Sequence, residues 1–387
     1  MTTSTSDPVP SDRLRPLSSA TNLTDFTQST VEPEEELPSD GEYDDLEVQS
    51  LSPSMYENEK KYGRTYHSFH AGAYPFPNDQ PEIYRLDWQH AIIKCLLHRR
   101  NYFAPLKSKK PKRMLDIGCG TGIWCFEMAA EFPKCRVEGI DLTPIQRKIS
   151  YSNIDFYLED ILSPSWWRPK EPESYMYDYI HTRMSLGIFN DFREIIQKSY
   201  NNLRPGGWME SQEMYSKLQC ADDMPANYPL KEWSELSDKA AHNLGRPLRI
   251  ADKLKRWYKE AGFVDVHEEV FAIPVNQWPK SDREKMLGKY CSWNLMLGLQ
   301  GWSLEYFVEG LGYTPAEVEV YLAHVRNSVV DESVHAFYNF YVVWGRKPYD
   351  DEPGSTTPKP HHWPQPPDDD DNDDESVRWS TRNSEDA

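Results

Sequence analysis

The sequence predicts an α/β fold, a parallel sheet covered by helices, and three observations carry that prediction. First, Met114-Leu-Asp-Ile-Gly-Cys-Gly-Thr-Gly122 runs from buried-strand residues into closely spaced glycines, and the helical run from Ile123 to Ala130 follows at once. Strand, glycine turn and helix in that order open a βαβ unit. Second, short strand-like runs recur at 136–140, 154–158 and 177–181 with short connections, the alternation of a parallel sheet. Third, the first three of these strands lead into carboxylates, Asp116, Asp141 and Asp160, at the strand ends where ligands gather in open α/β sheets.

Taken in order, residues 1–55 are rich in Ser, Thr, Pro, Asp and Glu and form an acidic tail too polar to offset its ordering entropy. Composition changes at Glu57, where charged and aromatic residues mix through Tyr66, His67 and His70. The turn Pro77 to Pro81 leads into a helix over about 82–99, whose face of Leu86, His90, Ile93 and Leu97 is expected to dock on the sheet. The basic cluster Lys107 to Arg113 precedes the first sheet strand and reads either as a solvated loop or as a nuclear import signal. A helix over about 191–203 stops at Arg204-Pro-Gly-Gly207, and Trp208 starts the fifth strand. Helices over about 230–244 and 249–261 end at Gly245 and Gly262, and a strand covers 264–274. A helical insertion over about 279–330 carries two capping boxes, Ser281 with Glu284 and Thr314 with Glu317. A long aromatic strand, 335–345, closes the fold before a second acidic tail, 349–387.

The net charge of −19 belongs to the ends. Residues 1–50 hold 12 acidic side chains against two Arg, and 349–387 hold 12 against three basic ones. The span 51–348 balances 38 acidic against 38 basic residues, so it has no positive field for a nucleic acid. The six cysteines show no metal-ligand or C-x-x-C spacing, and no apolar run has the length of a membrane helix. These features predict reduced thiols in an intracellular protein, cytoplasmic or nuclear, with no bound metal, membrane or direct nucleic-acid partner.

The glycine spacing selects the ligand. A dinucleotide loop reads G-x-G-x-x-G, whereas here it is G-x-G-x-G with Asp116 two residues ahead. A carboxylate there repels a pyrophosphate and suits an ammonium group. S-adenosylmethionine, with an amino-acid end, a sulfonium and an adenosine, fits; an NAD-dependent dehydrogenase does not. Asp141, 23 residues after Gly118, is placed for ribose hydroxyls, and Asp160 with the Ile161 N–H for the adenine.

These residues, with Asp178-Tyr-Ile-His-Thr-Arg183 and Leu203-Arg-Pro-Gly-Gly-Trp208, resemble the class I S-adenosylmethionine-dependent methyltransferases. Gly63-Arg-Thr-Tyr-His67, Pro77-Asn-Asp79, Arg85-Leu-Asp-Trp-Gln-His90, Pro164-Ser-Trp166 and Trp208-Met-Glu-Ser-Gln-Glu213 are similar to the fungal LaeA-like branch. The resemblance implies a Rossmann-like, seven-stranded, mostly parallel sheet with an antiparallel last strand and a helical insertion before it. It divides 56–348 into an N-terminal lid and helix (56–112), a cofactor-binding core (113–274), a helical substrate cap (275–334) and the last strand (335–348). It also implies a methyltransferase of secondary metabolism acting on a small molecule or a protein, or else a nuclear regulatory subunit that binds the cofactor with little turnover.

The candidate cofactor-binding residues are Asp116, Gly118, Cys119, Gly120, Asp141, Leu142, Asp160, Ile161, His181 and Tyr66. Methyl transfer from an activated sulfonium needs alignment more than side-chain chemistry, so no catalytic residue is required by the pattern. His181, just past the fourth strand, is the one candidate base. Glu210 and Glu213 are alternatives facing the substrate or solvent, and Tyr66 and His67 are candidates for a lid. Trp166, Trp167, Trp293, Trp302, Tyr306 and Phe307 read chiefly as packing residues, with part of the insertion shaping an acceptor pocket.

Overall fold

The computed structural model describes residues 58–352, apart from 148, 150, 164–175 and 186. The predicted tail 1–55, all but the start of the tail from 349, and the Pro164-Ser-Trp166-Trp167 stretch lie outside the described residues.

The described chain begins with a hairpin, β1 (Asn58–Lys61) and β2 (Arg64–His67), turned by Tyr62 and Gly63 at φ 54° and 74°. Arg64 grips Asp79 with the Nε and Nη2 donors of one guanidinium edge, and Asp79 also caps α1 (Gln80–Leu96) by accepting from the Glu82 N–H. A single turn, α2 (Leu106–Lys109), leads to the sheet.

The sheet strands are β3 (Arg113–Ile117), β4 (Arg136–Asp141), β5 (Ile154–Leu158), β6 (Tyr177–Arg183), β7 (Leu203–Cys220), β8 (Val264–Pro274) and β9 (Ala336–Arg346). Their order is β5-β4-β3-β6-β7-β9-β8, with β9 antiparallel to both neighbours and the pairs from β5 to β7 parallel. This is the expected seven-stranded, mostly parallel sheet. The order in which successive strands are added reverses between β3 and β6, and in open α/β sheets ligands bind at such a switch.

Alternation along β3 covers both faces. Met114 joins Trp124 and Met128 of α3 (Ile123–Glu131), Tyr179 and Trp208 on one side. Leu115 joins Ile195 and Ile196 of α4 (Phe192–Asn202) and Leu254 and Trp257 of α6 (Leu254–Glu260) on the other. The helix expected at 249–261 is divided, with a 3-10 turn at Ala251–Lys253 before α6.

The insertion is α7 (Asp282–Glu305), a π turn (Tyr306–Gly310) and α8 (Pro315–Val329), packed with α5 (Pro229–Asn243) beside β7 to β9. Thr314 and Glu317 form the full capping box. Ser281 caps α7, but the Glu284 carboxylate takes the Ser281 hydroxyl.

Three expectations change. The face of α1 meets α7 more than the sheet: Ile92, Ile93 and Leu96 share a cluster with Leu287, Leu295 and Leu299, because two apolar helices bury each other. Strand β7 starts at Leu203 through an irregular register and runs to Cys220, so Glu210 and Glu213 lie inside it. Strand β6 continues to Arg183, so His181 is within the strand and not past its end.

The seat of α7 depends on one small residue. A Cβ on Gly288 would stand 1.8 Å from the Asn276 carbonyl oxygen, a backbone atom that cannot yield cheaply. Gly288→Ala is expected to destabilise the protein by about 1–3 kcal/mol through overpacking, read as a lower midpoint in urea or thermal unfolding.

Candidate active site

The glycine loop folds back on β4. The Gly118 and Cys119 N–H groups both donate to the Ile140 carbonyl, and Gly118 has φ +71°. A Cβ at Gly118 would meet nothing within 4 Å, whereas one at Gly122 would strike Phe156 at 2.5 Å. Gly118 therefore leaves room for a ligand against the backbone, and Gly122 makes room for packing. Helix α1 brackets the loop: Thr121 donates to Asp87 at 2.7 Å, and Arg147 pairs with the same carboxylate.

Asp141 closes β4 and holds the loop. It accepts from the Gly120 N–H at 2.7 Å and the Thr143 N–H at 3.0 Å. Burial pushes its carboxyl up to about 6 against these two bonds, and the Asp116 charge adds to the rise. Leu142 is half-buried beside it, and Cys119 is buried. After β5, Asp160 accepts from the Leu162 N–H at 2.8 Å and pairs with His70 Nδ1 at 2.8 Å. Ile161 is buried, with its carbonyl held by Lys198.

The N-terminal segment reaches these strand ends through residues that sequence reasoning had not singled out as ligands. His67 contacts the Phe69 and Tyr74 carbonyls, and so pins the loop that carries His70 to Asp160. Arg246 holds the Gly72 carbonyl, and Phe76 packs edge-on against Tyr306 of the π turn. Tyr66 is buried against Tyr62, and the charges acting on it are those of Glu305, Arg64 and Lys61.

At the centre, Asp116 is paired in register with His181 on the neighbouring strand, and His181 Nδ1 meets Asp116 Oδ1 at 2.8 Å. The imidazole stacks on Trp124 with centroids 4.1 Å apart and planes 1° apart. His181 has no exposed surface, and burial lowers its pKa in spite of Asp116, so the ring is neutral with its proton on Nδ1. Its Nε2 lacks a hydrogen-bond partner. The Cys125 thiol approaches Asp116 Oδ2 at 3.7 Å.

Glu210 and Glu213 are fully buried and internally bonded, on opposite faces of β7. Glu210 accepts from the Phe103 and Ala104 N–H groups and from Gln212. Glu213 accepts from the Ser185 N–H and hydroxyl and from Thr182. Neither is a surface carboxylate. Arg183, next on the His181 face, donates to Gln212 at 2.8 Å and to the Asn101 carbonyl at 3.4 Å, and lies 3.1 Å from His90 Nδ1.

A cofactor of the expected kind fits this constellation. Gly118 leaves its backbone open to a ligand, and Asp116, Asp141 and Asp160 supply acceptors at or just past the C-terminal ends of β3, β4 and β5, beside the switch between β3 and β6. Among the described residues no group of His, Cys, Asp and Glu is arranged to hold a metal. No described helix is long and apolar enough to cross a membrane.

Comparison with known proteins agrees. A family model described as "Methyltransferase domain" matches residues 88–268. The chain is 37% identical over 307 residues to "Methyltransferase pytC" of Aspergillus terreus, covering 79% of this chain and 93% of that one. It is 31% identical over 302 residues to "Secondary metabolism regulator LAE1" of Cochliobolus heterostrophus, covering 76% and 97%. To "Protein-methionine methyltransferase laeA" of Emericella nidulans it is 28% identical over 309 residues, covering 77% and 80%.

The raised Asp141 carboxyl gives a pH test. A folded-state value of about 6 means that the site gains a proton and loses its anionic acceptor as pH falls through that point. Affinity for S-adenosylmethionine is expected to weaken several-fold between about pH 7.5 and about pH 5, and Asp141→Asn to bind weakly with little further change, both by calorimetry.

Proposed function

The chain belongs to the LaeA-like S-adenosylmethionine-dependent methyltransferases, and from that premise we propose that it methylates a small-molecule acceptor in secondary metabolism. The observation that carries the small-molecule reading is the closure of the strand ends by the N-terminal segment. His70 on Asp160, Arg246 on Gly72 and Phe76 on Tyr306 fasten that segment across the crevice, and Tyr306 in turn donates to the Gly187 carbonyl after β6. A segment fastened by these contacts beside the strand ends favours a compact acceptor over a side chain on a folded protein.

When bound, the cofactor supplies a sulfonium-activated methyl group. The work left to this chain is binding, alignment and exclusion of water. Asp116 holds the ammonium of the amino-acid end, oriented by the neutral His181. Asp141 would accept from the ribose hydroxyls, and Asp160 with the Ile161 N–H would take the adenine edge. Asp141 also holds the glycine loop by accepting from the Gly120 N–H. His181 is enclosed by Asp116 and Trp124 and serves as a positioning residue rather than a base. An acceptor that begins as a neutral amine or thiolate needs no base from the protein.

The regulators among its relatives support a second reading, cofactor binding within a nuclear regulatory complex. Lys107, Lys109 and Lys110 are exposed, as an import signal requires, whereas Arg113 turns inward to Glu138.

Two experiments separate these readings. Incubation with methyl-labelled cofactor and a fungal extract is expected to label the small-molecule fraction; label confined to protein would sink the acceptor assignment. Asp116→Asn keeps an acceptor for His181 but removes the charge, so affinity for S-adenosylmethionine should fall by roughly 10- to 100-fold. Unchanged calorimetric affinity would refute the ammonium contact.

A further inference from the structure

We propose that Arg183 receives the carboxylate of the cofactor's amino-acid end, making Asp116 and Arg183 a two-charge clamp for that zwitterion; this rests on the cofactor reading given above. Three features lead there.

The first is position. Asp116 pairs with His181 and Ile117 with Thr182 across β3 and β6, so Arg183, the last residue of β6, stands level with Gly118 at the mouth of the glycine loop. Arg183 shares a face with His181, since side chains two apart on a strand point the same way.

The second is charge. Several other covered arginines bond a carboxylate directly: Arg64 has Asp79, Arg85 has Glu82, Arg113 has Glu138, and Arg346 has Asp265 and Glu352. Arg183 bonds directly only to neutral groups, the Gln212 amide oxygen, the Asn101 carbonyl and the His90 ring, while the Asp116, Glu127 and Glu210 carboxylates act on it without a direct bond. His90 is held neutral by burial, with the Arg183 charge acting in the same direction. A guanidinium in such surroundings gains from an anion, and its five N–H donors exceed the partners it has here.

The third is access. At the end of β6, His181 and Thr182 have no exposed surface and Ser185 just beyond it has 2%, yet Arg183 and Met184 between them are only partly covered. Gly118, level with Arg183 on the neighbouring strand's end, also has free space beside its backbone.

An α-amino acid group presents its carboxylate beside its ammonium, so an anion site next to Asp116 is the complement that this ligand requires. The test compares S-adenosylmethionine with its decarboxylated analogue, S-adenosylmethioninamine, by calorimetry. The wild type is expected to bind the carboxylated ligand about 10- to 100-fold more tightly, and Arg183→Gln to lose most of that preference while its affinity for the analogue changes little. Arg183→Lys should retain part of the preference, because it keeps the charge but not the fork. A purely structural role would weaken both ligands together and leave their ratio intact, and that result would overturn the proposal. Equal binding of both ligands by the wild type would overturn it as well, even if Arg183→Gln fails to fold. Binding of neither ligand by the wild type would instead bring down the cofactor reading itself.

Discussion

The site depends on one buried contact, the hydrogen bond from His181 to Asp116 across β3 and β6. The two strands run parallel and place these residues directly opposite each other, so the bond joins the side chains at the switch point of the sheet. A carboxylate that is 4% exposed is costly to bury alone, and breaking such a pair typically costs about 3–5 kcal/mol. The stack of His181 on Trp124 fixes the ring plane, and Trp124 is itself held by the Asn101 carbonyl. The orientation of Asp116 is thus settled before any ligand arrives, which spares the cost of ordering it on binding.

The Asn101 carbonyl is a second junction. It accepts from Trp124, Gln212 and Arg183, which come from α3, β7 and β6. The next residues, Phe103 and Ala104, give their N–H groups to Glu210. A loop inserted this deeply must have its backbone polar groups answered, and β7 supplies Glu210 and Gln212 for the purpose. Burial raises the Glu210 carboxyl despite these bonds, the electrostatic penalty of placing an acceptor here. In return, the loop ties α1 to the sheet, and α1 in turn brackets the glycine loop through Asp87.

Local chemistry was legible in the sequence and long-range pairing was not. The strand–glycine–helix order, the Asp191 and Thr314 caps and the Gly245 and Gly262 stops are written within a few residues each, and the elements fall where they should. The three strand-end carboxylates followed from the same pattern. The length of β7 did not, because Gln212 to Cys220 reads as strand only beside β9, a partner more than a hundred residues away. Docking of α1 on α7 was hidden for the same reason: the apolar face is visible, but not which surface covers it. His70 and Arg183 gave no signal of their own. One owes its place to a contact 90 residues distant, and the other stands out only once its neutral hydrogen-bond partners, Gln212, Asn101 and His90, are known.

Alternation along the central strands divides the buried polar groups into two systems with different tasks. Asp116, His181, Arg183, Glu210 and Gln212 share the α3 face and border the crevice. Thr182, Ser211, Glu213 and Tyr258 share the opposite face, linked by bonds of 2.9 Å from Thr182 to Ser211 and 2.7 Å from Ser211 to Tyr258. Glu213 extends that second system into the loop after β6 by taking both the N–H and the hydroxyl of Ser185. The same loop offers the Gly187 carbonyl to Tyr306, so one carboxylate inside β7 braces the loop from which the roof hangs. A Cβ on Gly187 would strike Leu248 at 2.3 Å and the Tyr306 hydroxyl at 2.9 Å, which leaves this junction little room to vary. The cofactor face and the roof are therefore set by separate networks on one pair of strands. Two networks on opposite faces let one face change without disturbing the other, which suits a fold that can carry different functions on one scaffold.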